Sequence, residues 1–256
     1  VAMVAFDNEK IADLLADTYF KLGKDGIITI DKSPTMETTV ETTEGAKLNT
    51  GYISPYMVTD PARMQTIVEK PLILITDYRM TEVNDIFPII DKLAKANKRS
   101  FVVIAENVEQ NALATFVVNL AHVHNAQTGK NGSFQGVAIV APQGDHKQVT
   151  LEDLALLTGA KMFSQSKGDK LENVEIADLG KCERFICRRE ESIIVGPKGK
   201  KGDIGLAVTS LRTLIQNESN EAKKKEHQRR LGIFTNTLAV IRVGAVTENE
   251  QKALKY

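Results

Sequence analysis

The chain has no tryptophan, and of its 256 residues only two are cysteines and 5% are aromatic. Two cysteines are too few for a disulfide-stapled scaffold, and by themselves they make no zinc site. Cys182 and Cys187 sit five apart in a strand-like stretch, so they point to opposite faces and are not expected to pair. A reducing, cytoplasmic setting is the simple expectation. Net charge is missing too: 33 basic residues offset 33 acidic ones. That balance removes the general electrostatic footprint of a nucleic-acid binder. No apolar run approaches the ~20 residues a membrane span needs, so neither nucleic acid nor membrane is an expected partner. The opening Val-Ala-Met-Val-Ala-Phe-Asp has no basic n-region and no initiator Met. We therefore expect no signal peptide, and a chain that is a fragment.

What remains is an ordinary globular balance, 42% hydrophobic and 26% charged. Its length fits one large domain, or one domain and a smaller piece. Asp7 or Asn8 can cap a first helix carrying Ile11, Leu14, Leu15, Tyr19 and Leu22, followed by a Lys24-Asp25-Gly26 turn and a strand at Ile27–Ile30. Residues 36–44 are Thr- and Glu-rich and β-prone. Strands are predicted at 72–77, 101–105 and 137–141, with helices at about 86–96, 108–122 and 151–158 after them. That alternation predicts an α/β domain with a parallel sheet. Short strands near 161–164, 183–187 and 192–195 follow, then a basic turn at 197–202, a polar helical region at about 203–232, and a final strand at 238–243. The loop 124–136 is long and turn-rich, and there is no internal repeat.

Residues 51–57, Gly-Tyr-Ile-Ser-Pro-Tyr-Met, place two of the five tyrosines in a segment broken by Ser54 and Pro55. A loop with aromatics and a methionine near its surface usually touches something. Two helices carry more apolar surface than one packed face requires. In the first, with Asp85 as N-cap and Pro88 at the third position, Ile86, Ile89 and Leu93 share a face, and Phe87, Ile90 and Ala94 lie beside it. In the second, Asn107 and Gln110 approximate a capping box. There Ala112, Phe116, Leu120 and Val123 form one stripe, and Leu113, Val117, Val118 and Ala121 extend it. Such helices are either buried by a further layer or expose an adhesive face, and burial is the more frequent case.

Other features point more weakly. His122 and His124 diverge by ~200° on a helix, so with His146 they read as solvated rather than as a metal site. Ser54 lacks the glycine-flanked elbow of a nucleophile. Lys198–Gly202 lacks the full phosphate-loop pattern and reads as a solvated turn. Lys223–Lys225 with Arg229 and Arg230 read as a solvated helix face. No catalytic residue and no metal ligand is predicted.

Many collinear segments together resemble the GroEL-type (group I) bacterial chaperonins. They are Lys24–Thr29, Glu44-Gly45, Gly51–Tyr56, Ile104-Ala105-Glu106, Ala112–Thr115, Val117-Val118-Asn119, Leu157-Thr158-Gly159, Asp178-Leu179-Gly180, Ala239–Ala245 and Thr247-Glu248. The resemblance implies a discontinuous intermediate domain at 1–44 and 237–256, small and α+β. It also implies a chaperonin apical domain at 45–236, with a parallel-rich sheet and flanking helices. In that family the apical domain binds unfolded or partly folded polypeptides and a lid co-chaperonin of the GroES type. Residue by residue, the site carries over to Tyr52, Tyr56 and Met57 in the loop, Phe87 and Ile90 on the first helix, and Leu113, Val117 and Val118 on the second, flanked by Asn119. It implies an exposed face for both helices.

The hinges it implies are Gly45 at one end and Asn236-Thr237 at the other, where the family usually has Gly-Gly. Thr50 stands where an Arg commonly pairs with the counterpart of Glu248. The 124–136 loop is longer than usual, and Pro142-Gln143-Gly144-Asp145 replaces a Pro-Gly-Phe-Gly-type turn. The family's ATP site, with its Mg and K, belongs to a domain that this sequence does not include. The fragment is therefore expected to need no cofactor, to turn over no ATP and to be monomeric, whereas the full-length family forms double-ring homo-oligomers. The rival expectation is an α/β enzyme with a small-molecule pocket at the strand C-termini.

Overall fold

A computed structural model describes residues 27–32, 39–125, 130–143 and 147–243. The predicted first helix, the turn at 24–26, His146, Gly144-Asp145 and Glu248 lie outside the described residues. The chain divides into two compact units, Val1–Ala46 with Thr235–Tyr256, and Lys47–Phe234.

In the first unit, β1 (Ile27–Lys32), β2 (Thr39–Leu48) and β14 (Thr237–Val243) form a three-strand arrangement. β14 lies in the middle, parallel to β1 (Ile27 opposite Leu238) and antiparallel to β2 (Thr237 opposite Glu44). Its central position explains its continuous apolar text: Leu238, Ala239, Val240 and Ile241 are all buried.

The second unit is mixed α/β and parallel-rich. Its strands are β3 (Thr66–Glu69), β4 (Leu72–Thr76), β5 (Arg79–Met80), β6 (Ser100–Ala105), β7 (Asn107–Val108), β8 (His124–Asn125), β9 (Lys130–Asn131), β10 (Gln135–Val140), β11 (Met162–Phe163), β12 (Gly180–Cys187) and β13 (Ser192–Pro197). The helices are α1 (Val83–Lys95), α2 (Gln110–Val118), α3 (Lys147–Thr158), α4 (Lys201–Asn217) and α5 (Glu221–Thr235). Strands β11, β4, β6 and β10 run parallel in that order. All five residues of β4 are buried, as a strand covered on both faces requires.

The sheet is not purely parallel. β12 pairs antiparallel with β4, β13 and β3, and β3, unread in the sequence, pairs its Val68 with Phe185. Helix boundaries also shift. α1 begins at Val83, three residues before the predicted start, because Asp85 is not the N-cap. Its carboxylate accepts the N–H groups of Thr81 and Glu82, both at 2.8 Å, from inside the first turn. Pro88 therefore lies inside the helix. No capping box joins Asn107 and Gln110: Asn107 belongs to β7 and accepts the Val108 N–H at 2.9 Å. The polar helix 203–232 is two helices. Asn220 breaks it by accepting the N–H groups of Ala222 (2.9 Å) and Lys223 (3.2 Å), as an N-cap does.

Candidate functional site: an apolar face on a loop and two helices

Residues 51–57 are pinned along the outer edge of β10. A Cβ at Gly51 would lie 2.1 Å from the Arg189 carbonyl oxygen, so only glycine lets the chain pass there. Tyr52 bridges Ile139 antiparallel, and the Ile53 N–H donates to the Ala138 carbonyl at 3.0 Å. Pro55–Met57 then form a single 3-10 turn, entered at Ser54, whose hydroxyl accepts the Tyr56 N–H at 3.4 Å. On the far side, Met57 enters the core. It is fully buried, its sulfur accepts the Ala138 N–H at 3.3 Å, and its carbonyl accepts the Thr66 hydroxyl at 2.5 Å. Anchors on both flanks leave Tyr56 at the apex, 73% exposed, while Tyr52 is half-buried.

α1 buries Ile86, Ile89, Ile90 and Leu93. Phe87 (50% exposed) and, one turn earlier, Val83 (41%) are left outside. α2 behaves as two stripes. Ala112 and Phe116, with Leu120 beyond the helix, face inward, and Phe116 packs with Phe101 and Phe134 at ring-centroid separations of 6.3 and 5.2 Å. The second stripe faces out: Val118 is exposed, and Leu113 and Val117 are half-buried. No residue of α2 is charged. Asn119 is half-buried and serves its own chain: its amide donates to the Thr115 carbonyl at 2.8 Å, and its carbonyl accepts the Ser133 N–H at 2.8 Å.

α1 and α2 pack side by side, with the Asn111 amide 3.5 Å from the Glu82 carboxylate and the Ala112 N–H on the Thr81 carbonyl at 3.0 Å. His122, two residues past Leu120, reaches the Tyr56 carbonyl at 2.8 Å and ties the loop to the end of α2. Of the nine residues predicted for the site, Tyr52, Tyr56, Phe87, Leu113, Val117, Val118 and Asn119 are thus exposed or half-buried on three neighbouring segments. Met57 and Ile90 are corrected to core residues. Met57 fills space under β10, and Ile90 continues the Ile86 stripe of α1. Val83 and His122 were not predicted for the site. Val83 precedes the expected start of α1, and a histidine bonding a distant carbonyl leaves no sequence signal.

The predicted hinge residues are strand residues or border one. Gly45 lies buried within β2 and its N–H donates to the Asn236 carbonyl at 3.3 Å, and Thr237 opens β14. At the C-terminal edge of the parallel strands, where an enzyme of this class would gather reactive groups, the polar side chains satisfy one another. The Ser164 hydroxyl and the Gln165 N–H donate to Asp77 at 2.5 and 2.8 Å, and the Tyr78 hydroxyl donates to the Asp169 carbonyl. Burial, followed by the charges of Asp77, Asp169 and Asp85, raises the Tyr78 phenol above its ordinary value and keeps it a donor. Lys147 pairs with Glu106 at 3.0 Å.

An open depression of about 630 Å3 lies elsewhere, beyond the C-terminus of α1, lined by residues such as Asn97, Lys98, Arg99, Ser133 and Gln135. In the basic turn, the Gly199 N–H donates to the Leu157 carbonyl at 2.9 Å and Lys198 pairs with Glu183 at 2.6 Å, so the turn seats on the end of α3. Among the described residues, no group of three or more His, Cys, Asp or Glu side chains could hold a metal, and no helix is long and apolar enough to cross a membrane.

No protein-family model matches the chain.

Proposed function

We propose that this chain is the polypeptide-gripping part of a group I chaperonin, an apical domain with flanking intermediate-domain segments. On this reading it binds non-native polypeptides, and competitively a GroES-type lid, through the face built by the 51–57 loop, α1 and α2. The observation that carries the reading is the exposure of Tyr56, Phe87, Val83 and Val118 (73, 50, 41 and 39%) on three adjoining segments, one of them a helix with no charge. The resemblance of the sequence to that family supports it independently.

Unfolded chains display apolar side chains in no fixed order, so a receptor for them must bind by area rather than by a hydrogen-bond code. Covering one large side chain contributes roughly 1.5–3 kcal/mol, much of it offset by ordering the client. One face therefore binds weakly, and a ring of such faces gains by avidity. The chemistry that drives release, with ATP, Mg and K, belongs on this reading to a separate domain of a cytoplasmic double-ring assembly.

The chain alone should retard aggregation of a denatured protein diluted from urea, followed by light scattering. It should release no phosphate from ATP. Unretarded aggregation at a tenfold molar excess of the chain would count against the reading, and ATP turnover by the chain would overturn the assignment of the motor to another domain.

A further inference from the structure

We propose that His122 is the positioning residue of this apolar face, the strut that fixes the Tyr56 apex to the end of α2. The inference rests on the polypeptide-binding reading above and names a residue that the reading does not require. The loop is anchored on the sheet through Ile53 on one flank and Met57 on the other. Its apex projects between them, and Tyr56 is the most exposed aromatic residue described. Among the described residues, the one hydrogen bond that holds the apex sideways comes from His122 Nε2, 2.8 Å from the Tyr56 carbonyl and 66 residues away in the chain. A carbonyl oxygen only accepts, so Nε2 carries the hydrogen and the tautomer is set by the contact.

His122 can act as a strut because its own backbone is held. The Ala121 N–H donates to the Phe134 carbonyl at 2.7 Å, and the Val123 N–H and carbonyl bond Leu120 and Gly132 at 2.9 and 3.2 Å. Among the described residues, no second hydrogen bond joins segment 54–58 to the turn 119–123. The imidazole is exposed, so the bond adds little to the core; its effect falls on the direction of Tyr56 relative to the helix that carries Val117 and Val118. A pre-set apex binds a client without the cost of ordering the loop.

The test uses the intact chain, with reduced, carboxymethylated lactalbumin as a permanently unfolded probe. Affinity and amide exchange at Met57 and Val58 are measured for wild type, His122→Ala, His122→Gln and Tyr56→Ser. His122→Ala should weaken binding about fivefold, the equivalent of about 1 kcal/mol for one hydrogen bond. It should also speed exchange at the apex and lower the urea midpoint by no more than about 0.5 M, the loss of that one bond. Gln, whose amide can donate to the same carbonyl, should restore both. Unchanged affinity and exchange in His122→Ala, or a Gln variant that behaves like Ala, would overturn the strut. If Tyr56→Ser leaves binding intact, the polypeptide-binding reading falls while the exchange data still decide the role of His122.

Discussion

Met57 and Tyr56 are chain neighbours with opposite duties, and replacing each with alanine separates them. Met57 is fully buried, and its thioether accepts the Ala138 N–H at 3.3 Å. Truncation removes three heavy atoms from a packed site. Substitutions of that kind cost about 2–5 kcal/mol, the value rising with the cavity that fails to collapse. The Met57 side chain runs from the end of its 3-10 turn onto the edge of β10, and both are held by their own hydrogen bonds, so little collapse is available and about 3 kcal/mol is expected. Tyr56 is 73% exposed, and its truncation should stay within about 0.5 kcal/mol. With a urea slope of about 2–3 kcal/mol per molar, Met57→Ala should lower the midpoint by roughly 1–1.5 M and Tyr56→Ala by less than ~0.3 M. Binding of an unfolded probe should show the reverse order at a denaturant-free temperature where both variants are folded. A Met57→Ala midpoint within ~0.3 M of wild type would refute the placement of Met57 in the core.

Other expectations follow from single groups. Arg230→Ala strands Asp153, a 5%-exposed carboxylate that it grips at 2.7 and 2.9 Å, and should cost about 3–5 kcal/mol in a urea melt; a loss below about 1 kcal/mol would mean that the pair is not buried as drawn. Burial pushes the thiols of Cys182 and Cys187 up to about 12, so neither should react with an aromatic disulfide at pH 8 until denaturant exposes both; rapid release from the folded chain would contradict their burial. Glu191 is held below its ordinary value by hydrogen bonds from Lys47 first and Arg188 after it. Its contribution is therefore complete above the unfolded glutamate value and lost as pH falls through the lowered folded one. The stability gap between wild type and Glu191→Gln should stay constant from neutral pH down to the unfolded glutamate value and shrink below it, and a gap that does not shrink on further acidification would refute the assignment.

The parallel strands were legible because burial on both faces leaves continuous apolar runs: Leu72–Ile75, Phe101–Ala105 and Val137–Ala141 can hardly be anything else. β3 escaped because four residues between Gln65 and Lys70 carry too short a pattern, and its place depends on β12, more than a hundred residues later. The apolar surplus of α1 and α2 was visible in the sequence, but its direction was not. Periodicity says that Phe116 and Val117 lie on different sides of a helix. Only the Phe101 and Phe134 rings decide that Phe116 is the one turned inward. On α1 the surplus is smaller than the text suggested, since Ile90 is buried with Ile86, and of the large apolar side chains only Phe87 and Val83 join the small Ala94 outside. The loop illustrates the same limit. Its aromatics and its methionine read alike as surface groups, yet a backbone pinned to β10 sends Tyr56 out and Met57 in.

The most direct test of the account is the affinity of the intact chain for reduced, carboxymethylated lactalbumin, measured for wild type and for Tyr56→Ser with Phe87→Ser. The account predicts measurable binding by wild type, lost by at least tenfold in the double variant with its folding cooperativity retained, since each side chain supplies roughly 1.5–3 kcal/mol of burial before ordering costs. Equal affinity in the two proteins, or no binding by wild type, would contradict it.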